Sequence, residues 1–275
     1  MHTPPREPRC IAPAVVVALA LLVLASLGST PSAAADEPDV PPEVQALLPV
    51  GSLIHAALSA DLTAGGQTDW AVVYTEDDHT FADAHMAIVV PGTDGWQIAR
   101  TVTIAFALNS LIRLDTVGGV PAVVFTGVVG AHAVDLLIVR WDGESFATVF
   151  EGIGNAAVID VQDSDGDGTP EVVNRWSPYC EAFAVSPLLV SVYRWDGAAY
   201  VEATGGYPDL LTEAEAGVHE ALARSSTWTP EGQACLYRAL AYLADKRGDA
   251  ATVEEDCRQA AVIDPLSPEP CPLMG

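Results

Sequence analysis

Basic residues are scarce in this chain. Twelve lysines and arginines stand against 37 aspartates and glutamates, the formal net charge is −25, and Lys246 is the one lysine. Such a surface repels the phosphates of nucleic acid and anionic lipid, since Lys and Arg carry that kind of binding. Nucleic acid is therefore not an expected partner. No apolar run after residue 27 approaches the roughly 20 residues a transmembrane helix needs. Hydrolase and transferase signatures are missing as well: there is no G-x-S-x-G elbow, no S-x-x-K, and no histidine placed beside a cysteine in a nucleophile arrangement. The five cysteines contain no C-x-x-C pair, which argues against a zinc site.

What is present begins with Arg6 and Arg9, followed by the apolar run IAPAVVVALALLVLASL over residues 11 to 27 and small residues ending in Ala33-Ala34-Ala35. This is the pattern of a secretory signal peptide cleaved before Asp36. A retained anchor is the alternative, because about 17 apolar residues sits at the lower limit for a span. Cys10 precedes the run, on the wrong side for lipid modification. Cleavage removes Arg6, Arg9 and Glu7, so 12 basic and 37 acidic residues become 10 and 36, a net charge near −26. The expected location is secreted or extracytoplasmic. There the four remaining cysteines, Cys180, Cys235, Cys257 and Cys271, would form two disulfides in one of three connectivities. A bridge from Cys180 to the other three would tie the middle of the chain to its end.

Valine-rich runs such as WAVVY, MAIVV, PAVVF, DLLIV and LLVSVY are short and bounded by glycine or proline, which predicts strands. They fall into a repeat. Asp61 and Asp69 in ADLTAGGQTDWAVVY stand eight apart, as do Asp163 and Glu171 in DSDGDGTPEVV, and apolar residues follow each at once. A third copy, RLDTVGGVPAVVF, keeps Asp115 and the glycines with one residue deleted. Out of phase with these lie PGTDGWQIA, VRWDGESFATV and YRWDGAAYVEA, each with Asp-Gly between two β-prone runs, the chemistry of a hairpin turn. Each unit of about fifty residues is thus expected to hold four strands: one before the acidic stretch, one after it, then a hairpin. Units of this size build propeller blades, but three are too few to close a ring. An open fan, pairing with another molecule, or a degenerate extra unit in residues 36 to 58 would resolve this.

The stretch DSDGDGTPE carries oxygen ligands at alternating positions. Asp163, Asp165 and Asp167 occupy positions 1, 3 and 5, Gly168 allows the sharp turn at 6, the carbonyl of Thr169 falls at 7 and Glu171 at 9. That order wraps a hard cation, and a flexible all-protein loop favours Ca²⁺ over the strictly octahedral, strongly hydrated Mg²⁺. An EF-hand would need its bidentate acid at position 12, where Asn174 stands. The combination resembles the FG-GAP and VCBS repeats, the calcium-loop units of integrin-α-like propellers, in which such a loop leads into a buried strand. The resemblance implies a calcium site at Asp163, Asp165, Asp167, Thr169 and Glu171, and a β-propeller-like fold. Thr63, Gly65, Val117 and Gly119 replace the carboxylates in the other copies, so one site is expected, not three.

After Tyr207-Pro208 the composition turns to alanine, leucine and glutamate. A capping box at Thr212 and Glu215 predicts one helix, and Thr229 before Pro230 predicts the start of another. Gly248-Asp249 divides that helix from a last one ending near Ile263. The last pair resembles a single tetratricopeptide repeat, with Leu240, Ala241, Gly248, Ala260 and Pro265 in its places and Ala244 and Cys257 departing from its aromatic positions. One such pair cannot bury its own face, so it is expected to pack on the strands.

The whole reads as a signal peptide (1–35), a linker (36–47), a mainly β domain of about three four-stranded, propeller-like units (48–207) and an α-helical region (208–275). The expected function is a non-enzymatic calcium-binding protein serving binding or assembly at the cell exterior, with protein or glycan as partner. Two alternatives are a glycan-active enzyme and a peptide-binding adaptor using the helices. The enzyme would use EDDHTFADAH, which gathers His79 and His85 with Asp77, Asp78 and Asp83. GIGNAA at 152 to 157 imitates a dinucleotide motif but leads into a strand, and HEALAR from His219 lacks the second histidine of a zinc protease. Trp96, Trp141 and Trp195 recur at the hairpins, where they are expected to pack between units.

Overall fold

The computed structural model describes residues 39–76, 83–104, 111–129, 133–155, 158–181, 185–267 and 271–272. Its strands form three four-stranded antiparallel sheets, each built from consecutive strands. The first holds β1 (Leu53–Ala60), β2 (Asp69–Thr75), β3 (Ala84–Gly92) and β4 (Gly95–Ile104). The second holds β5 (Leu111–Val117), β6 (Val120–Val128), β7 (Ala133–Trp141) and β8 (Phe146–Asn155). The third holds β9 (Val158–Gln162), β10 (Glu171–Trp176), β11 (Leu189–Trp195) and β12 (Tyr200–Glu202). The four-strand unit read from the sequence is therefore present three times.

Alternation along single strands shows how the sheets are arranged. In β2, Ala71 and Val73 pack with Val123, Phe125, Leu137 and Val139 of the second sheet. Their neighbours Val72 and Tyr74 point the other way, onto Val40, Val44 and Leu48. In β10, Val172 joins Val124, Leu136 and Ile138 of the second sheet, whereas Val173 faces the helices. Successive strand residues point to opposite faces, so runs of consecutive valines serve two cores at once. The sheets thus stack in a row, and no closed ring forms among the described residues.

Both ends of the row are covered. At the first sheet the cover is a short helix, α1 (Pro42–Gln45), whose Val44 is fully buried. Within the stretch expected as a linker, Val40 and Val44 are buried together with Leu48 against the first sheet, and the described residues up to 58 contribute α1 and the start of β1, not an extra unit. At the third sheet the cover is helical: α2 (Pro208–Arg224), α3 (Pro230–Lys246) and α4 (Ala250–Ile263). Leu211, Val218, Leu236, Ala239 and Leu243 pack there on Leu189, Val190 and Val192. Each fully buried Leu or Val contributes about 1.5–3 kcal/mol, so an uncovered terminal sheet would forgo much of its stability.

Polar clips join the layers. Arg100 of β4 reaches the Phe146 carbonyl and donates to Thr148 Oγ1 at 2.7 Å, and Arg113 of β5 donates to the Val161 carbonyl at 2.5 Å. Arg140 of β7 lies 4.9 Å over the Trp195 ring. Within the third sheet the Trp176 indole donates to Ser191 Oγ at 3.1 Å, and from α3 the Tyr242 hydroxyl meets Ser191 Oγ and donates to the Val190 carbonyl, each at 3.0 Å. Cys180 is bridged to Cys235 and Cys257 to Cys271. The first bridge joins the β10–β11 connection to α3 across 55 residues. Closing a loop of that length is worth roughly 4 kcal/mol on the chain-entropy account.

The helix boundaries agree with the sequence in two places of three. Thr229 caps α3, its Oγ1 accepting from Gly232 N, and Asp249 caps α4 after the positive-φ turn at Gly248. The capping box at Thr212 does not form. Pro208, whose fixed φ suits a first helical position, starts α2 earlier, and Thr212 Oγ1 donates back to the Pro208 carbonyl from inside the helix.

Candidate functional site

The three acidic stretches occupy the same place in each sheet, the connection between its first two strands, but differ in form. In the second sheet the connection is the two-residue turn Gly118-Gly119, with φ of +58° and +78° and Val117 paired to Val120. It is shorter than the one-residue deletion read from the sequence. A Cβ on Gly118 would come within 2.6 Å of Trp195 Nε1, so the lack of a side chain there leaves room for that indole. The other two connections are full loops, residues 61 to 68 and 163 to 170.

In the 163–170 loop the backbone is held by its own carboxylates. Asp163 accepts from Gly166 N at 2.8 Å through one oxygen and from Gly168 N at 3.1 Å through the other. Asp165 Oδ1 accepts from Asp167 N at 3.1 Å, and Asp167 Oδ1 from Thr169 N at 2.7 Å. Gly166 and Gly168 have φ of +78° and +86°, which other residues rarely adopt, and this explains the D-G-D-G order. At the end of the loop Glu171 opens β10. It is fully buried, its Oε2 accepts from Ser164 N at 2.7 Å, and its Oε1 has no partner.

Ligand oxygens of Asp163, Asp165 and Glu171 lie within 4.8 Å of one another, the one such acidic group among the described residues. Of the five residues expected at the site, these three converge. Asp167 stands outside the group, and Thr169 supplies its N–H to Asp167. Burial pushes the Glu171 carboxyl above its usual range, and the charges of Asp165 and Asp167 push it further, against the lowering effect of the Ser164 N–H. This arrangement suits a cation. A buried carboxylate with one oxygen unpartnered converges with two exposed carboxylates, and an all-oxygen donor set of this kind fits Ca²⁺.

Tyr207 is the neighbour that the sequence did not single out. Its side chain is 8% exposed, its hydroxyl is buried without a partner, and burial followed by the charge of Glu171 raises its titration well above the ordinary phenol range. The only trace in the sequence is Tyr207-Pro208, which reads as a boundary. Tyr207 and Asp165 also line an open cleft of about 510 Å³ with Arg194, Glu202, Asp245 and Lys246.

Other candidates take structural parts. His85 Nδ1 pairs with Thr103 Oγ1 at 2.9 Å, and its Nε2 lies 4.0 Å from Glu76. His79, Asp77 and Asp78 fall outside the described residues. Gly152 to Asn155 of the GIGNAA stretch belong to β8, so no helix starts there. Trp141 packs on Phe146 at 4.9 Å, Trp195 on Tyr200 at 5.7 Å, and Trp96 lies against the group covered by α1. Exposed large apolar side chains on the described part of the helical region are Val262 and Leu266. No described helix is long and apolar enough to cross a membrane. Neither a family model, a curated protein nor a solved structure matches the chain.

Proposed function

We propose that this is an exported, non-enzymatic calcium-binding protein with propeller-like repeats and a tetratricopeptide-like helix pair, serving binding or assembly at the cell exterior through a protein or glycan partner. One observation carries the reading: the buried Glu171, with Oε1 unpartnered, converges with Asp163 and Asp165. Asp163, Asp165 and Glu171 would hold the ion, with Asp167 and the Thr169 carbonyl completing the set. The disulfides support an oxidising compartment, where extracellular calcium modules bind at roughly 10⁻⁴ to 10⁻³ M. At tenfold excess over such a constant the ion stabilises the fold by about 1.4 kcal/mol, a structural contribution that stiffens the third sheet.

Calorimetric titration of the full chain with Ca²⁺ tests this, run beside Asp165→Ala. One equivalent with a rise in Tm is expected for the parent, and at least a tenfold weaker signal for the variant. A parent that gives neither heat nor a thermal shift sinks the assignment.

A further inference from the structure

The two interfaces between sheets are filled differently. Between the first and second sheets Met86, Phe125 and Phe146 are buried among the aliphatic side chains. Between the second and third the buried side chains are all aliphatic. The rings of Phe150, Tyr193 and Tyr200 gather instead on β8, β11 and β12, the far side of each sheet from β5 and β9. Where β5 faces β9 the sheets leave a slot of about 370 Å³, walled by Leu111, Val124 and Leu136 on one side and by Ile159 and Val161 on the other. Close-packed interiors hold few voids larger than a water molecule, whereas sites for small molecules begin at about 300 Å³ and have mainly apolar walls. A slot of this size and lining suits a hydrocarbon body.

The charged edge of the slot selects the head group. Arg113 of β5 reaches across to β9, where its Nη2 donates to the Val161 carbonyl at 2.5 Å and lies 3.4 Å from Asp160 Oδ1. Asp115 Oδ2 stands 3.8 Å from the same nitrogen. Asp160 Oδ1 also accepts from Val161 N at 2.7 Å. Two carboxylates thus surround one guanidinium, which leaves an excess of negative charge at this edge, in a chain whose net charge is −25. An anion brought here would meet both carboxylates and a guanidinium already engaged, whereas a cation would meet the exposed Asp160. The field of the whole chain acts in the same sense. We propose that the slot between the second and third sheets binds a small apolar cation, an alkyl- or arylalkylammonium whose hydrocarbon part lies between Leu136 and Ile159 and whose charged head meets Asp160. None of the residues assigned to calcium lines the slot, so this site is independent of the calcium reading.

Three probes of one chain length, hexylammonium, 1-hexanol and hexanoate, test this on the full chain with chelator present. Affinity is read by calorimetry and location by the methyl NMR signals of Leu111, Val124, Ile159 and Val161. Hexylammonium is expected to move those signals and to bind about tenfold more tightly than hexanoate, with hexanol between the two. Asp160→Asn keeps an acceptor for Val161 N and removes the charge. It should weaken hexylammonium about fivefold and leave hexanol unchanged. Hexanoate binding as tightly as hexylammonium overturns the proposal, and so does an Asp160→Asn variant that keeps the parent's preference. Methyl signals of the slot that stay in place with all three probes overturn the site itself, whatever the outcome with Ca²⁺.

Discussion

The loops over 61–69 and 163–171 occupy matching places in the first and third sheets and solve one problem in two ways. Each ends in a fully buried carboxylate that opens a strand, Asp69 in one and Glu171 in the other. Asp61 accepts from Gly65 N and Gly66 N as Asp163 does from Gly166 N and Gly168 N, so the backbone scaffold is shared. The difference is in what surrounds the buried acid. Asp69 Oδ2 collects three donors, Leu62 N at 2.8 Å, Thr63 N at 2.9 Å and the Thr63 hydroxyl at 3.1 Å. Glu171 has a single N–H, and a carboxylate, Asp165, stands where Thr63 supplies its hydroxyl. Both acids keep one buried oxygen without a partner, so the two loops differ in the donors and the charges gathered around the acid. Loss of ligands in the first loop is therefore a replacement with its own stabilising chemistry.

The largest test of this contrast is Asp69→Ala. Three donors would lose a buried, charged acceptor, so unfolding free energy should fall by about 3 kcal/mol. In urea denaturation the loss should be the same with Ca²⁺ or chelator; a loss confined to one condition would mean that the first loop also answers to an ion.

Gly118→Ala examines the connection that has become a bare turn. A side chain at φ of +58° is strained and would press on Trp195, at a cost of about 2 kcal/mol seen as a lower Tm. An unchanged Tm would show that the space beside the indole does not depend on glycine at this position.

The smallest effect comes from restoring the lost ligands with Thr63→Asp and Gly65→Asp together. Asp61, Asp69 and the two new acids would then repeat the spacing of the third-sheet loop. A second equivalent of Ca²⁺ is expected, stabilising by about 1.4 kcal/mol at tenfold excess. A stoichiometry that stays unchanged would show that ligand spacing alone does not make the site.

Much of the fold was readable because it depends on local chemistry. Val-rich runs between glycines became strands, Asp142-Gly143 and Asp196-Gly197 became turns in which the aspartate accepts two backbone N–H groups, and D-G-D-G became a loop of positive-φ glycines. Direction was not readable. Val72 and Val73 are the same residue type and face different cores, because sheet order, not composition, decides what each meets. The start of α2 was misplaced because Thr212 and Glu215 satisfy a local rule that Pro208 pre-empts. Cystine pairing depended on where α3 lands. At the candidate site the spacing of the acids was legible, while Tyr207, brought in by the chain's return through the 3-10 turn, carries no local signal.

The Cys180–Cys235 bridge also has a mechanical meaning. A pull transmitted from the N-terminal side to the C-terminal end would cross this covalent shortcut, so residues 181 to 234 would lie off the path of tension. That sheltered segment holds β11, β12, α2 and Tyr207, whereas the acidic loop stays on the taut side. Under stretch, the loop at 163 to 170 would carry tension that the sheltered segment is spared.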